Sequence, residues 1–315
     1  MQQGRASRTA EYMALFRALE SARPADRRLF TDRFATAFLR PRLRLVVALS
    51  RLPALGSRIN RFIDGRWPGA RTSGIARTRF IDEAVRAAVD SGVEQAVILG
   101  AGFDARPYRL AALSGRTTFE VDHPSTSAAK QRVLAAVLGT PPAHVRFVPV
   151  DFDSERLESA MAAAGYDAGR RTLFIWEGVT NYLTEGAVDE TLRWCARAAA
   201  GSTVVFTYVH RQVLDDPETF AGTGALFSTL GASQERWTFG LDPSRLESYL
   251  AERGLVLGED QGAADYRARG YGPAAAAMHG YEFYRIAVAR VPEAGLTTRR
   301  SASRAGAPSA TSPGS

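Results

Sequence analysis

Apolar residues recur along this chain with two different periods, and the change from one to the other divides it. From residue 9 to about 66 the period is helical. Thr9 can cap a helix with Tyr12, Leu15, Phe16 and Leu19 on one face, ending before Pro24. Phe30, Phe34 and Phe38 follow at four-residue spacing and predict a second helical run, continued by Leu43 to Leu52. The stretch Trp67-Pro-Gly-Ala-Arg-Thr-Ser-Gly74 reads as a loop by composition. Residues 78–91 predict another helix, with Phe80, Ile81, Ala84, Val85, Ala88 and Val89 apolar.

From 95 to 208 the signal becomes short apolar runs separated by helical ones. The runs 95–99, 117–121, 145–150, 172–176 and 203–208 predict strands, with helices over 125–138 and 184–199 among the connections. Such alternation implies right-handed crossovers and a largely parallel, twisted sheet. After an irregular segment from residue 210, a helix over 243–253 and strands over 255–259 and 281–290 are expected, the last antiparallel. Beyond Val291 the chain turns to Ser, Ala, Gly, Pro, Thr and Arg without periodicity, which predicts a disordered tail over 291–315.

The composition fits an ordinary globular protein: 315 residues, 45% hydrophobic and 23% charged, enough for one large domain or two small ones. No stretch approaches eighteen uncharged apolar residues, and Met1-Gln-Gln-Gly-Arg5 does not open a secretory signal, so a soluble, cytoplasmic chain is expected. Cys195 stands alone, which excludes an intramolecular disulfide framework, and the four histidines are far apart, so no metal site is expected. Of the 40 basic residues behind the formal charge of +7, only Lys130 is lysine. That bias points to GC-rich coding. The arginines read as scattered among acids, apart from Arg299, Arg300 and Arg304, so no nucleic-acid partner is expected, and the absence of an apolar span argues against a membrane partner.

In an open α/β sheet, ligands bind beyond the carboxyl ends of the strands. The residues at those ends are Gly100-Ala-Gly102-Phe-Asp104, then Asp122, then Asp151-Phe152, then Glu177. Two glycines allow a sharp turn and a close ligand approach. Asp122, twenty residues beyond Gly102, is placed to accept both hydroxyls of a ribose, though it also reads as a cap for a helix near Pro124. Asp151 and Phe152 suit an adenine amino group and ring, or the start of a helix near Ser154. Asp104 sits where a pyrophosphate would need a free helix N-terminus, so a cationic, phosphate-free nucleoside such as S-adenosylmethionine fits better than a dinucleotide. An NAD(P)-dependent oxidoreductase and a non-catalytic protein that binds a nucleoside cofactor are the alternatives.

Arg77-Thr-Arg-Phe80, Leu99-Gly-Ala-Gly-Phe-Asp-Ala-Arg-Pro-Tyr-Arg-Leu110, Glu120-Val-Asp-His-Pro124, Pro149-Val-Asp-Phe152 and Trp176-Glu-Gly-Val-Thr-Asn-Tyr-Leu183, taken in order, resemble the leucine carboxyl methyltransferase family. The likeness is strongest to its bacterial branch of S-adenosylmethionine-dependent O-methyltransferases, which includes polyketide methyltransferases, and it covers roughly residues 8–290. The resemblance implies a class I methyltransferase, Rossmann-like sheet of seven mostly parallel strands (residues 77–290) behind an N-terminal helical cap (residues 1–76). It further implies that Arg77 holds the methionine carboxylate, Gly100 lines the cofactor, Asp122 takes the ribose, Asp151 with Phe152 the adenine, and Glu177 the methionine ammonium. Asp104 competes with Glu177 for that ammonium. A carboxylate acceptor needs no general base; for a hydroxyl acceptor, His210 and Tyr208 are the candidate catalytic residues. Tyr182, Trp237 and Tyr281 are candidates for the acceptor pocket, with the Phe30/Phe34/Phe38 helix, Tyr12, Phe16 and Phe62 as a lid. The expected reaction is O-methylation, of a carboxyl group above all, on a small hydrophobic metabolite of secondary metabolism.

Overall fold

The computed structural model describes residues 8–151, 155–233 and 236–293. Its strands are β1 (Gln95–Leu99), β2 (Thr117–Asp122), β3 (Val145–Pro149), β4 (Thr172–Trp176), β5 (Thr203–Val209), β6 (Val256–Gln261) and β7 (Tyr284–Arg290). Its helices are α1 (Arg8–Ser21), α2 (Pro41–Ser50), α3 (Pro53–Arg66), α4 (Ala70–Asp90), α5 (Arg106–Arg109), α6 (Pro124–Leu138), α7 (Leu157–Ala163), α8 (Glu185–Ala196), α9 (Gln212–Asp215), α10 (Thr223–Ser233), α11 (Leu246–Ala251) and α12 (Ala263–Tyr271).

The seven strands form one sheet in the order β3-β2-β1-β4-β5-β7-β6, parallel except for β7, which runs antiparallel to β5 and β6. The strand signals predict a largely parallel sheet of this kind, and the seven-stranded arrangement is the class I methyltransferase one that the resemblance implies. Strand order reverses between β1 and β4, so the crevice for a ligand opens above Leu99 and Trp176. β1, β4 and β5 are buried along their whole length, which is why they read as continuous apolar runs. On one face Val97, Phe119, Phe174 and Phe206 pack with Leu192 and Leu250; on the other Ala96, Ile98, Ile175 and Val205 pack with Phe80, Val85 and Tyr266. A third cluster joins α1 and the segment 30–39 to Phe103 and Tyr108, which seats the N-terminal residues on the glycine loop.

Several local expectations change. Residues 30–34 are not helical; only Ala35–Phe38 forms a 3-10 turn. Buried Asp32 is the cause: its Oδ1 accepts from the backbone N–H groups of Phe34 and Ala35, both at 3.0 Å, an Asx-type turn that competes with a helix. The three phenylalanines are nonetheless buried. The expected loop before Gly74 instead begins α4 at Ala70. Tertiary contacts override composition there: Thr72 Oγ1 donates to the His279 carbonyl, and Ser73 Oγ accepts from Tyr281 N at 2.8 Å. α4 therefore runs unbroken across the expected boundary between residues 76 and 77. The expected helix 243–253 is a 3-10 turn followed by α11, and the last strand starts at Tyr284 rather than at residue 281. Val291 belongs to the fold and not to the tail: it is buried and exchanges backbone bonds with Gly201 and Ser202. The tail from residue 294 lies outside the described residues, as does Phe152.

Candidate functional site

The turn after β1 is built around two glycines with positive φ, Gly100 at 64° and Gly102 at 39°. A Cβ on Gly100 would stand 2.5 Å from Val179 Cγ2, in the loop after β4, so two strand ends close on each other only because this residue has no side chain. Gly100→Ala is expected to cost about 1–2 kcal/mol for the backbone conformation alone, with the clash added. Thermal denaturation of Gly100→Ala and Gly100→Ala/Val179→Ala should show the second change recovering only the clash. Full recovery would mean that the conformation is not strained.

Asp122 closes the same turn from β2. Its Oδ2 accepts from Gly102 N at 2.5 Å and its Oδ1 from His123 N at 2.7 Å. It does not cap α6; His123 does, its Nδ1 accepting from Ser125 N at 3.3 Å. An ionised carboxylate offers about four lone-pair sites, so two remain on Asp122 for hydroxyl donors. Burial raises its pKa, while the two backbone N–H groups oppose the rise. Asp151 lies two residues past the end of β3: its N donates to Glu155 Oε2 at 2.9 Å, and its carbonyl accepts from Glu155 N at 2.7 Å. α7 is described from Leu157, and the expected helix start near Ser154 lies outside the described residues.

Glu177, Asp104 and Arg77 meet through a residue that the sequence reading passed over. Arg106 Nη1 bridges Asp104 Oδ2 at 2.5 Å and Glu177 Oε2 at 2.8 Å, and Arg106 Nε reaches Asp82 Oδ1 at 2.9 Å. Arg77 Nε donates to Glu177 Oε1 at 2.8 Å, and its guanidinium lies 4.6 Å over the Tyr284 ring. Arg109 pairs with Asp82 at 2.6 Å and approaches Asp32 at 3.8 Å, and Arg17 holds Asp32 at 2.9 Å and the Phe103 carbonyl at 2.6 Å. Four arginines and four acids thus form one neutral network from α1 to the end of β4. Burial works against the charged carboxylates of Asp104 and Glu177, but Arg106, with Lys130 beside Asp104 and Arg77 beside Glu177, outweighs it. Asp104 is lowered to about 2, and Glu177 is also lowered. The two acids share one arginine. Asp82 carried a signal after all: an acid inside the apolar stripe of a helix, between Ile81 and Val85.

The candidate bases are occupied. Tyr208 OH donates to both carboxylate oxygens of Asp260 at 3.0 Å and accepts from Arg285 Nε at 3.0 Å. Its neighbour Thr207 accepts from Gly178 N in the site loop at 2.8 Å, so strand alternation turns Tyr208 away from that loop. Burial, then Asp260, raises the Tyr208 pKa well above the phenol range. His210 accepts from Gln212 N at Nδ1, at 3.1 Å, so its neutral ring carries the proton on Nε2 and can donate there but not accept. Burial also lowers its pKa.

The expected pocket aromatics do assemble. Trp237 packs edge-on to Tyr182 (6.5 Å between centroids), Phe227 (5.5 Å) and Tyr284 (6.2 Å), while Tyr281 stacks on Phe283 at 4.9 Å, beside it. Two buried donors among these rings have no partner among the described residues: Trp237 Nε1 and Asn181 Nδ2. Asn181, which the sequence reading did not single out, is 1% exposed and accepts from Tyr284 OH at 3.3 Å through Oδ1. As lid residues, Phe16 and the three phenylalanines of 30–38 are instead core of the cap, and Phe62 is 71% exposed, pointing into solvent.

A family model described as leucine carboxyl methyltransferase matches residues 10–196. A protein of Mycolicibacterium paratuberculosis, named as a candidate S-adenosyl-L-methionine-dependent methyltransferase, is 38% identical over 189 residues, covering 58% of this chain and 59% of that protein. A similarly named protein of Frankia alni is 36% identical over 232 residues, covering 73% and 75%. The match spans only 59%, 52% and 52% of the length of three such relatives. The crystal structure of a candidate methyltransferase from Thermobifida fusca superimposes with a TM-score of 0.55 at 16% identity, over 87% of this chain and 97% of that one, a likeness of fold.

Proposed function

The chain belongs to the leucine carboxyl methyltransferase family, and from that premise we propose that it is an S-adenosylmethionine-dependent O-methyltransferase. Its acceptor is the carboxyl oxygen, or secondarily a hydroxyl oxygen, of a small hydrophobic metabolite of the polyketide kind. The observation that carries the cofactor reading is the neutral network ending at Arg77 and Glu177 beside a carboxylate with spare acceptor sites, Asp122. An amino-acid end brings one carboxylate and one ammonium, which a paired arginine and glutamate complement without surplus charge. A pyrophosphate would find no unpaired cation there, and the helix after the glycine turn, α5, is four residues long with Pro107 in its first turn. Those two facts weigh against the dinucleotide alternative.

Arg77 would hold the carboxylate of the cofactor, Glu177 its ammonium, Asp122 its ribose hydroxyls and Asp151 its adenine amino group. When bound, the cofactor supplies a methyl group on a sulfonium, open to in-line displacement. The protein's work is then to align the acceptor oxygen and exclude water, a gain of up to roughly 7–11 kcal/mol from orientation. Aromatic rings around Trp237 provide the dry wall. The unpartnered Trp237 Nε1 and Asn181 Nδ2 suit an oxygen-bearing acceptor, because a buried N–H without a partner costs about 1–3 kcal/mol, which a ligand oxygen would recover. A carboxylate fits this site better than a hydroxyl, since Tyr208 and His210 are unsuited to remove a proton.

Calorimetric titration should show binding of S-adenosylmethionine and S-adenosylhomocysteine but not of NAD. Transfer of labelled methyl to a panel of hydrophobic carboxylic acids and phenols should favour the acids. Absence of heat with both nucleosides sinks the cofactor reading; transfer to phenols alone sinks the carboxyl reading. With the acid that turns over, Trp237→Phe and Asn181→Leu should each raise acceptor KM about tenfold, the worth of one buried hydrogen bond, without moving S-adenosylmethionine affinity. Unchanged KM would remove both side chains from the acceptor site.

A further inference from the structure

The notion of evenly scattered arginines fails at α2 and α3. Residues 40–66 hold seven arginines against one aspartate, a net +6 within a chain whose formal charge is +7. That aspartate, Asp64, is already bound by Arg71 through two bonds of 2.9 and 2.6 Å. Arg40 spends its charge on Glu11, and Arg44 donates to the Leu39 and Ala37 carbonyls. Arg42, Arg51, Arg58 and Arg61 form no ion pair among the described residues.

The same hairpin exposes apolar side chains. Among the described residues six large hydrophobic side chains are exposed, and four of them, Leu45 at 60%, Leu49 at 40%, Leu52 at 57% and Phe62 at 71%, belong to this segment. Leu45 and Leu49, spaced i, i+4, share one face of α2, and Leu52 follows in the turn before α3, while Val47, Gly56 and Ile63 face inward and anchor the hairpin. Across a groove lined by Ala37, Arg44, Arg132 and Val133, the surface continues to Val137 on α6, 49% exposed.

We propose that the α2–α3 hairpin is a docking surface for an anionic lipid bilayer, with its leucines and Phe62 among the acyl-chain ends and its unpaired arginines on the headgroups. Leucine and phenylalanine projecting beside arginines that lack acidic partners are the composition of an interfacial helix, and arginine stems lie along apolar surface while their heads reach phosphate. A second copy of the chain is the wrong occupant, because two faces that each carry Arg42, Arg51, Arg58 and Arg61 without acidic partners among the described residues repel. Nucleic acid would use the arginines and leave three leucines and a phenylalanine in water. No helix of the described residues is long and apolar enough to cross a membrane, so the contact is peripheral and reversible. It replaces the expectation of no membrane partner, which rested on the absence of a span.

The test is co-sedimentation of the full chain with vesicles of equimolar phosphatidylglycerol and phosphatidylcholine, beside vesicles of phosphatidylcholine alone. The chain should pellet with the anionic vesicles only, and be released as salt shortens the screening length. Leu45→Glu/Leu49→Glu and Arg58→Glu/Arg61→Glu should each lower partitioning by at least about tenfold at an unchanged melting temperature. Three results would overturn the proposal: no pelleting with anionic vesicles, variants that pellet like the parent, or a dimer in solution that Leu45→Glu/Leu49→Glu splits. A duplex DNA shift abolished by Arg58→Glu/Arg61→Glu, with vesicles left unbound, would assign the face to nucleic acid instead.

Discussion

Arg106→Met is expected to destabilise the protein by about 3–5 kcal/mol, the usual cost of removing one partner from a buried ion pair. Arg106 serves three acids at once, Asp82, Asp104 and Glu177, and its side chain is 2% exposed. Methionine fills a similar volume but leaves those carboxylates buried without their main cation. With an unfolding entropy of about 2.1 cal/mol/K per residue, the loss lowers Tm by roughly 5–8 °C. Acidification separates this account from a simple packing defect. In the parent, Asp104 sits at about 2 against an ordinary value of 3.8, because Arg106 overcomes its burial. A lowered folded-state pKa contributes stability that is present above pH 4 and lost as pH falls from about 4 toward 2. Without Arg106, burial acts with less opposition and lifts the folded-state pKa above the unfolded one. The variant should therefore gain stability as pH falls from 7 toward 4, where the parent is flat or declining. Melting curves across that range check it, and parallel profiles would show that the network is not held by Arg106. Asp82→Asn added to Arg106→Met should recover part of the loss, since one buried charge disappears.

The network also explains which parts of the molecule were legible in the sequence. Strand ends were: short apolar runs stop at Gly100, Asp122, Asp151 and Glu177, and in a parallel sheet those stops lie along one edge. Helical spacing was less dependable. Phe30, Phe34 and Phe38 are buried as their pattern promised, yet Asp32 turns the chain there and only one 3-10 turn forms. Four-residue recurrence reports a shared buried side, which a bent segment achieves as well as a helix. The ion pairs were out of reach because their partners lie far apart in sequence, Arg77 with Glu177 and Arg17 with Asp32, and only the fold joins them. Asn181 stood inside a quoted motif, but its unpartnered amide nitrogen is a property of packing alone. Tyr208 illustrates the opposite error. Its place at the end of the expected strand 203–208 suggested catalysis, while register puts Asp260 and Arg285 against its hydroxyl.

Asp122→Asn is expected to weaken S-adenosylmethionine binding about 10–150-fold, the worth of roughly 1.5–3 kcal/mol for hydrogen bonds to a charged group. The reason is an inventory of lone pairs. The carboxylate accepts from Gly102 N through one oxygen and from His123 N through the other. Its remaining sites would match two ribose hydroxyls, so in the proposed reading one side chain both shapes the glycine turn and reads the sugar. Asparagine has a single acceptor oxygen. Its NH2 group must face Gly102 N–H or His123 N–H, donor against donor, and the turn loses a bond before any ligand arrives. Asp122→Glu keeps the charge but moves it outward by one methylene, so it should also weaken binding, through distance rather than through the missing acceptor. Titration calorimetry with S-adenosylmethionine, and with adenosine as the fragment that carries the ribose, distinguishes a ribose contact from general damage. Both ligands should weaken by the same factor if Asp122 reads the sugar. Should adenosine bind Asp122→Asn as tightly as the parent, Asp122 would be a brace for Gly102 alone, and the ribose would have to be held by another residue on the same sheet edge.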